Sequence, residues 1–562
     1  MKPLALGLDY GTNSVRALLA CVETGEEVGE AVWNYRRGER GVVVDARRPE
    51  LARQHPRDYL EGLRAAIRAA LGVARKKGAA SEDVIGIGVD ATGSTPIPVD
   101  RSGEPLALNK EFEREPDAMA WLWKDHVAHA EAVEITARAR AEKPEYLSKY
   151  GGVYSSEWFW SKLLHARRFA PRVWAAAHTW VELADWIPAV LTGTTDPAQL
   201  RRGICAAGHK AMFHPSWGGY PAADFLAKLD PDLVRVRATL PDRAWPVGEA
   251  AGALTPAWAR ALGLPAGLPV SVGAFDAHLG AVGSGIRPGV LVKIIGTSAC
   301  DIAVAPLSAP LPDIPGICGI VPESVRPGLY GIEAGQSAVG DIFHWFVEGV
   351  RPGGSRAGSH EALTREAERL RPGESGLLAL DWWNGNRTVL MDQRLSGLVV
   401  GLTLGTTSAE IYRALIEATA FGARAIMERL EEYGVPIRRV VACGGIAVKN
   451  PLAMRIYADV LNRPVEISRS AQTCALGAAM AGSVVAGRRR GGHANFAAAE
   501  RAMTGVRPER FMPDRHRVAT YARLYPIYRT LHDGFGLGGA RNLGGVMKEL
   551  LSLRDEVRHG IR

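Results

Sequence analysis

Short apolar runs joined by a polar Gly-Thr turn occur twice in this chain, about half its length apart. The first sets Leu4-Ala5-Leu6-Gly7-Leu8 and Ser14-Val15-Arg16-Ala17-Leu18 on either side of Asp9-Tyr10-Gly11-Thr12-Asn13. The second sets Val290-Leu291-Val292-Lys293-Ile294-Ile295 and Ala299-Cys300-Asp301-Ile302-Ala303-Val304 on either side of Gly296-Thr297-Ser298. Each predicts a strand–turn–strand unit. Such a turn offers backbone N–H groups together with a hydroxyl, the combination that phosphate oxygens bind. Two of them predict two similar lobes gripping one nucleotide from either side, and with that a phosphotransferase.

Between the two units, Tyr59, Leu63, Ala66, Ile67 and Ala70 keep helical spacing and predict a helix over about 56–77. The apolar run 84–89 predicts a buried strand ending in Asp90-Ala91-Thr92-Gly93-Ser94-Thr95. Polar, glycine-bearing strand ends are where α/β sheets place ligands. Residues 118–197 read as helical and tryptophan-rich, mostly core, with 155–160 setting hydroxyls beside rings that can wall a small polar ligand.

The second half repeats the plan. A strand over 269–273 leads into Ala274-Phe275-Asp276-Ala277-His278. A long helix is predicted over 408–433, with Ile411, Leu415, Ala418, Phe421 and Ala425 on one face. Val440-Val441-Ala442-Cys443 then runs into a Gly444-Gly445 turn and a helix start. Residues 352–358 read as a flexible loop. Beyond Gly505 the chain reads as helical, with 534–545 as a linker to a last helix.

At 562 residues the chain exceeds one ordinary core, and two domains of roughly 200–280 residues are expected. It contains no run of about 18 uncharged apolar residues, so no membrane span is predicted. The first residues enter a strand directly, without a basic-then-apolar leader, which predicts a soluble cytoplasmic protein. Cys21, Cys205, Cys300, Cys318, Cys443 and Cys474 are scattered without zinc-ligand spacing and read as reduced and mostly buried. The net charge of +8 comes from scattered arginines; the one run, Arg488-Arg489-Arg490, reads as a solvated loop rather than a nucleic-acid patch.

Seven segments in order, 7–16, 88–96, 151–160, 202–210, 273–278, 331–337 and 444–450, resemble the FGGY carbohydrate kinases, a branch of the actin-like ATPase superfamily. Asp90 to Pro96 and Gly208-His209-Lys210 bring the match nearest to the branch acting on L-ribulose. The resemblance implies an α/β fold of two actin-like (ribonuclease H-like) lobes with a central cleft. Residues 1–285 are expected to form the lobe for sugar and phosphate, 286–505 the nucleotide lobe, and 506–562 a helical tail.

Asp9, at a strand end beside the first Gly-Thr turn, suits holding water on a Mg²⁺ bound to the triphosphate. Asp276 follows a strand between the two turns, where a carboxylate can orient an alcohol and take its proton. It matches the family's catalytic base, and can also face the metal through water. His278 reads as a packed histidine outside the chemistry.

The resemblance places Thr92, Ser94, Thr95, Lys210 and Glu333 around the sugar, since a polyol needs both donors and acceptors. It places Gly11, Thr12, Asn13, Gly296 and Thr297 over the phosphates, and Gly340, Gly444, Gly445 and Asn450 around the nucleotide, with His344 nearby. Together these imply ATP- and Mg²⁺-dependent phosphorylation of a ketopentose, L-ribulose at O5, in L-arabinose catabolism. Binding partners are then sugar and ATP, without nucleic acid or membrane, and a homodimer stays open. The alternatives are another pentulose or pentitol (D-ribulose, xylulose, ribitol), or an actin-like ATPase that takes no sugar.

Overall fold

The computed structural model describes residues 2–352 and 359–537, together with 543, 545 and 548. The loop expected at 352–358 lies almost wholly outside these residues, as do half of the 534–545 linker and nearly all of the last helix expected beyond it.

Both predicted hairpins form. Leu4–Tyr10 pairs antiparallel with Ser14–Cys21, and Val290–Ile295 with Ala299–Pro306. Leu4–Tyr10 is buried at every position, which requires cover on both faces of its sheet. Helix Pro56–Lys76 packs on the neighbouring strands, and helix Thr473–Ala486 packs on Leu4–Tyr10 itself. Gly7 and Gly88 make that second contact possible: a Cβ on either would overlap a carbonyl oxygen of Ala475 or Ala478.

The two sheets repeat one plan. The first runs Ala250–Ala253, Pro269–Ser271, Val84–Ala91, Leu4–Tyr10, Ser14–Cys21, Glu27–Asn34, with Ala274–Phe275 extending the pairing along Val84–Ala91. The second runs Gly319–Pro322, Leu329–Gln336, Ala299–Pro306, Val290–Ile295, Arg439–Cys443, Val465–Ser468, Val506–Phe511. In each, the hairpin has an antiparallel third strand on one side and a parallel strand on the other.

Two helices exchange places between the halves. Asp276–Gly283, from the first half, touches the hairpin of the second sheet, while Thr473–Ala486, from the second half, covers the first sheet. They pack against each other, and the strand ends of both sheets therefore face one cleft.

The tryptophan-rich stretch is largely helical, and most of its rings are core. Trp121, Trp158, Trp160, Trp174 and Trp180 fill a separate cluster, and Trp186 joins the first core. It also holds a strand, Thr179–Glu182, paired with Pro96–Val99. The stretch after Gly505 opens not with a helix but with strand Val506–Phe511, an edge of the second sheet. Pro508 is tolerated there because an edge strand has N–H groups that need no partner strand. The following helix, Arg515–Gly536, sets Tyr521, Tyr525 and Tyr528 into the second core. All six cysteines are unpaired, four of them buried and Cys300 and Cys474 half-buried. Arg488–Arg490 forms a single exposed turn.

Candidate active site

Strand register gathers three carboxylates at one end of the first sheet. Asp9 sits opposite Asp90 in the parallel pair, and Asp90 opposite Ala274 on the next short strand. Asp276 follows two residues later, at the first turn of its helix, and its Oδ1 accepts from the Ala277 N–H at 2.7 Å. Asp9 is paired with its cross-strand neighbour Arg16 at 2.8 Å. Neither oxygen of Asp90 meets a donor among the described residues. Burial raises all three pKa values, that of Asp276 to about 7; the neighbouring carboxylates add to the rise at Asp90 and Asp276, while Arg16 opposes it at Asp9. Three carboxylates at one end of a sheet, with Asp90 meeting no donor among the described residues, fit a hard dication that keeps water in its shell.

Asp276 opens into a cavity of about 160 Å³. Thr12 and Ser298, one from each Gly-Thr turn, border it, so both hairpins reach the same space. Trp123 and Phe275 supply flat apolar wall, and Lys210, Glu333, His278, Glu157 and Arg387 supply polar wall. Lys210 Nζ donates to both Glu333 oxygens, at 2.9 and 3.1 Å. Its ammonium also lies 5.4 Å from the Trp158 ring centre and 5.7 Å from that of Phe275. Burial alone would raise the Glu333 pKa, but the charge of Lys210, with His209 and His278, holds it well below the carboxylate range. The cavity therefore keeps one fixed anion and one fixed cation side by side, a polar wall suited to hydroxyls.

The 92–95 loop is built differently from expectation. Thr92 lines the cavity, but the Ser94 hydroxyl donates to Glu182 at 2.9 Å, and the Thr95 N–H donates to the same carboxylate at 2.6 Å. The Thr95 hydroxyl meets that of Thr92 at 2.9 Å. Ser94 and Thr95 thus shape the loop and do not border the cavity. Lys162 holds the loop from beneath, donating to the carbonyls of Ser94, Trp121 and Leu122 at 2.9–3.2 Å. Burial lowers its pKa to about 7, against the pull of Glu182.

A second, larger cavity of about 1010 Å³ lies on the other side of the Gly296 turn. Gly296, Thr297, Gly340, Gly445 and Asn450 all line it, as does His344. The Gly340 N–H donates to the Gly296 carbonyl at 3.1 Å, an approach that a side chain at 340 would obstruct. Gly444 sits just behind, with φ +92° and no room for a Cβ against Ile295. Asn450 also caps the next helix through Ala453. In the first turn, the Gly11 N–H closes on Ser14 O at 2.9 Å, and Asn13 turns outward to the Arg40 carbonyl at 2.6 Å.

Sequence reasoning missed Trp123, Glu157, Ser298, Cys300 and Arg387 as cavity residues, and set His278 aside. Glu157 lies inside the 155–160 stretch already singled out, so a signal was present; Arg387 carried none. His209, His278 and Glu333 also place ligand atoms within 4.8 Å of one another. Lys210 already neutralises that carboxylate, which leaves no net negative charge for a dication.

Two duplicated lobes whose hairpin turns meet over a small polar cavity define an actin-like, two-lobed kinase fold. The N-terminal domain of the FGGY family of carbohydrate kinases matches residues 4–283, and its C-terminal domain residues 291–486. The chain belongs to the FGGY family of carbohydrate kinases and is a sugar kinase. Ribulokinase from Shouchella clausii is 41% identical over 577 residues, covering 100% of this chain and 99% of the relative. Ribulokinase from Vibrio parahaemolyticus is 44% identical over 501 residues, covering 86% and 88%. The crystal structure of xylulose kinase from Rhodospirillum rubrum superposes with a TM-score of 0.75 at 25% identity, over 94% of this chain and 98% of that one. Plasmodium falciparum glycerol kinase with ADP shares the fold, with a TM-score of 0.75 at 14% identity over 96% and 99%. Among the described residues no helix is long and apolar enough to cross a membrane.

Proposed function

We propose that the chain transfers the γ-phosphoryl group of ATP to O5 of L-ribulose, giving L-ribulose 5-phosphate and ADP, the kinase step of L-arabinose catabolism. The observation that carries this reading is that Asp276 shares one cavity with the Lys210–Glu333 pair and with a hydroxyl from each Gly-Thr turn. The names of relatives at 41–44% identity support the choice of sugar. At about 160 Å³ the cavity is small beside the ~300–1,000 Å³ pockets of drug-sized ligands, and suits a short polyol.

Asp276 acts as the base. It orients the sugar hydroxyl and takes its proton as the oxygen bonds to the γ-phosphorus, and the bond from that phosphorus to the β–γ bridging oxygen breaks to release ADP. A pKa near 7 keeps the carboxylate available at neutral pH while it is still basic enough to accept a proton. Lys210 donates to sugar oxygens and Glu333 accepts from sugar hydroxyls, with Thr92 at the loop edge. Gly11, Thr12, Gly296 and Thr297 cover the phosphates, and Gly340, Gly445 and Asn450 border the rest of the nucleotide. Asp9 and Asp276 would hold Mg²⁺ through water; when bound, the ion offsets charge on the phosphate oxygens. Closure of the lobes over the cavity excludes water as a competing acceptor.

The test is ADP release from Mg-ATP with L-ribulose, D-ribulose, L-xylulose, D-xylulose, ribitol, glycerol or no sugar. Preferential stimulation by L-ribulose is expected. Preference for another sugar overturns the substrate, and sugar-independent turnover alone overturns the kinase reading in favour of a motor-like ATPase.

A further inference from the structure

His278 lies two residues past Asp276, and the first turn of its helix points into the small cavity, so that Asp276, Ala277 and His278 all border it. The side chain is 1% exposed, yet neither ring nitrogen has a hydrogen-bond partner among the described residues. Its Nε2 stands 3.8 Å from Glu333 Oε2, beyond hydrogen-bond distance. A buried polar group left in this state is costly unless a ligand supplies its partner.

The ring is nevertheless held firmly. It packs on His209 with centroids 4.4 Å apart and meets Phe275 edge-on at 5.8 Å. His209 is different: its Nε2 is engaged by Ser324 Oγ at 2.9 Å, and it does not border the cavity. Of the two histidines beside Glu333, only His278 combines an oriented ring, two unengaged nitrogens and a place on the cavity wall. An imidazole in its neutral form carries one donor and one acceptor, a match for a sugar hydroxyl, which both donates and accepts.

We propose that His278 hydrogen-bonds the sugar hydroxyl next to the one held by Glu333, and so sets which pentulose the cavity accepts. The inference rests on the sugar-kinase reading above and adds to it a residue that discriminates between epimers. Inverting one carbinol centre moves a hydroxyl away from a fixed ring and leaves that ring unpaired, which a site built on hydrogen bonds penalises strongly.

The experiment compares wild type, His278→Leu and His278→Gln on L-ribulose, D-ribulose, L-xylulose and D-xylulose with Mg-ATP. Leu removes both nitrogens, and Gln restores a donor and an acceptor at similar reach. His278→Leu is expected to lower kcat/KM for the preferred pentulose by about 10- to 100-fold. It should lower the others much less, bringing the four values together, while KM for ATP stays within about twofold. His278→Gln should recover most of the preference. An equal loss for all four sugars, or no loss, overturns the inference while leaving the kinase reading intact. Absence of stimulation by any pentulose in wild type overturns both. Should His278→Leu fail to fold, His278→Asn replaces it, since it withdraws Nε2 while staying polar, and the same criteria apply.

Discussion

Arg387 Nη2 meets Glu157 Oε1 at 3.2 Å, joining segments 230 residues apart across the cavity wall. The two side chains keep only 17% and 13% of their surface exposed. The charge of Glu157 raises the Arg387 pKa further above its ordinary value, and Glu157 in turn is lowered against the effect of its burial. Because one partner comes from each half of the chain, the pair forms only when the halves are together, and it ties them at the cavity wall.

Removing one partner of such a pair leaves an uncompensated, largely buried charge. Arg387→Met is expected to lower kcat/KM for the sugar by about 10- to 100-fold. In a double-mutant cycle, adding Glu157→Gln should cost little more, giving a coupling of at least about 1 kcal/mol. Steady-state kinetics on the four proteins checks this; strict additivity would mean that the contact contributes nothing to the active site.

Lys210 and Glu333 predict a separation of sugar from nucleotide. Lys210→Met leaves Glu333 buried without its cation and removes a donor from the small cavity. Sugar KM should rise on the order of 100-fold or more, with ATP KM nearly unchanged. Titration calorimetry with each ligand separately reads the outcome, and equal weakening of both would remove Lys210 from the sugar site.

Asp276→Asn keeps the shape of the side chain and removes the base. Turnover should fall by roughly 10²–10⁴-fold while sugar affinity changes by only a few-fold. In wild type, kcat/KM for the sugar should climb with pH below about 7 and level off above it, following ionisation of Asp276. A profile flat from pH 5 to 8 would exclude Asp276 as the group that takes the proton.

The same carboxyl predicts a stability effect of opposite sense. Its pKa rises from 3.8 in the unfolded chain to about 7 in the fold, mainly through burial. Between those values the folded state holds a proton that the unfolded state has lost, so rising pH destabilises the fold through this group. The penalty is absent below about pH 4 and complete above about pH 7. Without metal or nucleotide, Asp276→Asn should therefore melt above wild type, by a margin that widens from pH 4 to 7 and then stays constant. Differential scanning calorimetry across that range gives the comparison; a margin that shrinks with rising pH would contradict the burial argument.

Much of this protein could be read along the chain, because its signals are local. A buried strand shows as a continuous apolar run, and a phosphate turn shows as Gly-Thr between two such runs. Asp9, Asp90 and Asp276 were placed at strand ends by sequence, and register then brought them together. The family resemblance supplied Lys210 and Glu333, whose pairing across 123 residues no local pattern shows.

What only the tertiary structure decided concerns which polar groups are already engaged. Ser94 and Thr95 have the right chemistry for a sugar, but Glu182, from a neighbouring strand, takes the Ser94 hydroxyl and the Thr95 N–H. His278 looked like a packed histidine, but packing orients its ring and leaves both nitrogens unengaged in a residue of the cavity wall. Arg387 became a wall residue only because its loop reaches Glu157. Strand Val506–Phe511 exists because an edge of the second sheet is open to it, not because of its own composition. Apolar periodicity is a property of neighbouring residues, and it determined the elements; hydrogen-bond occupancy is a property of distant residues brought together, and only the packed lobes decide it.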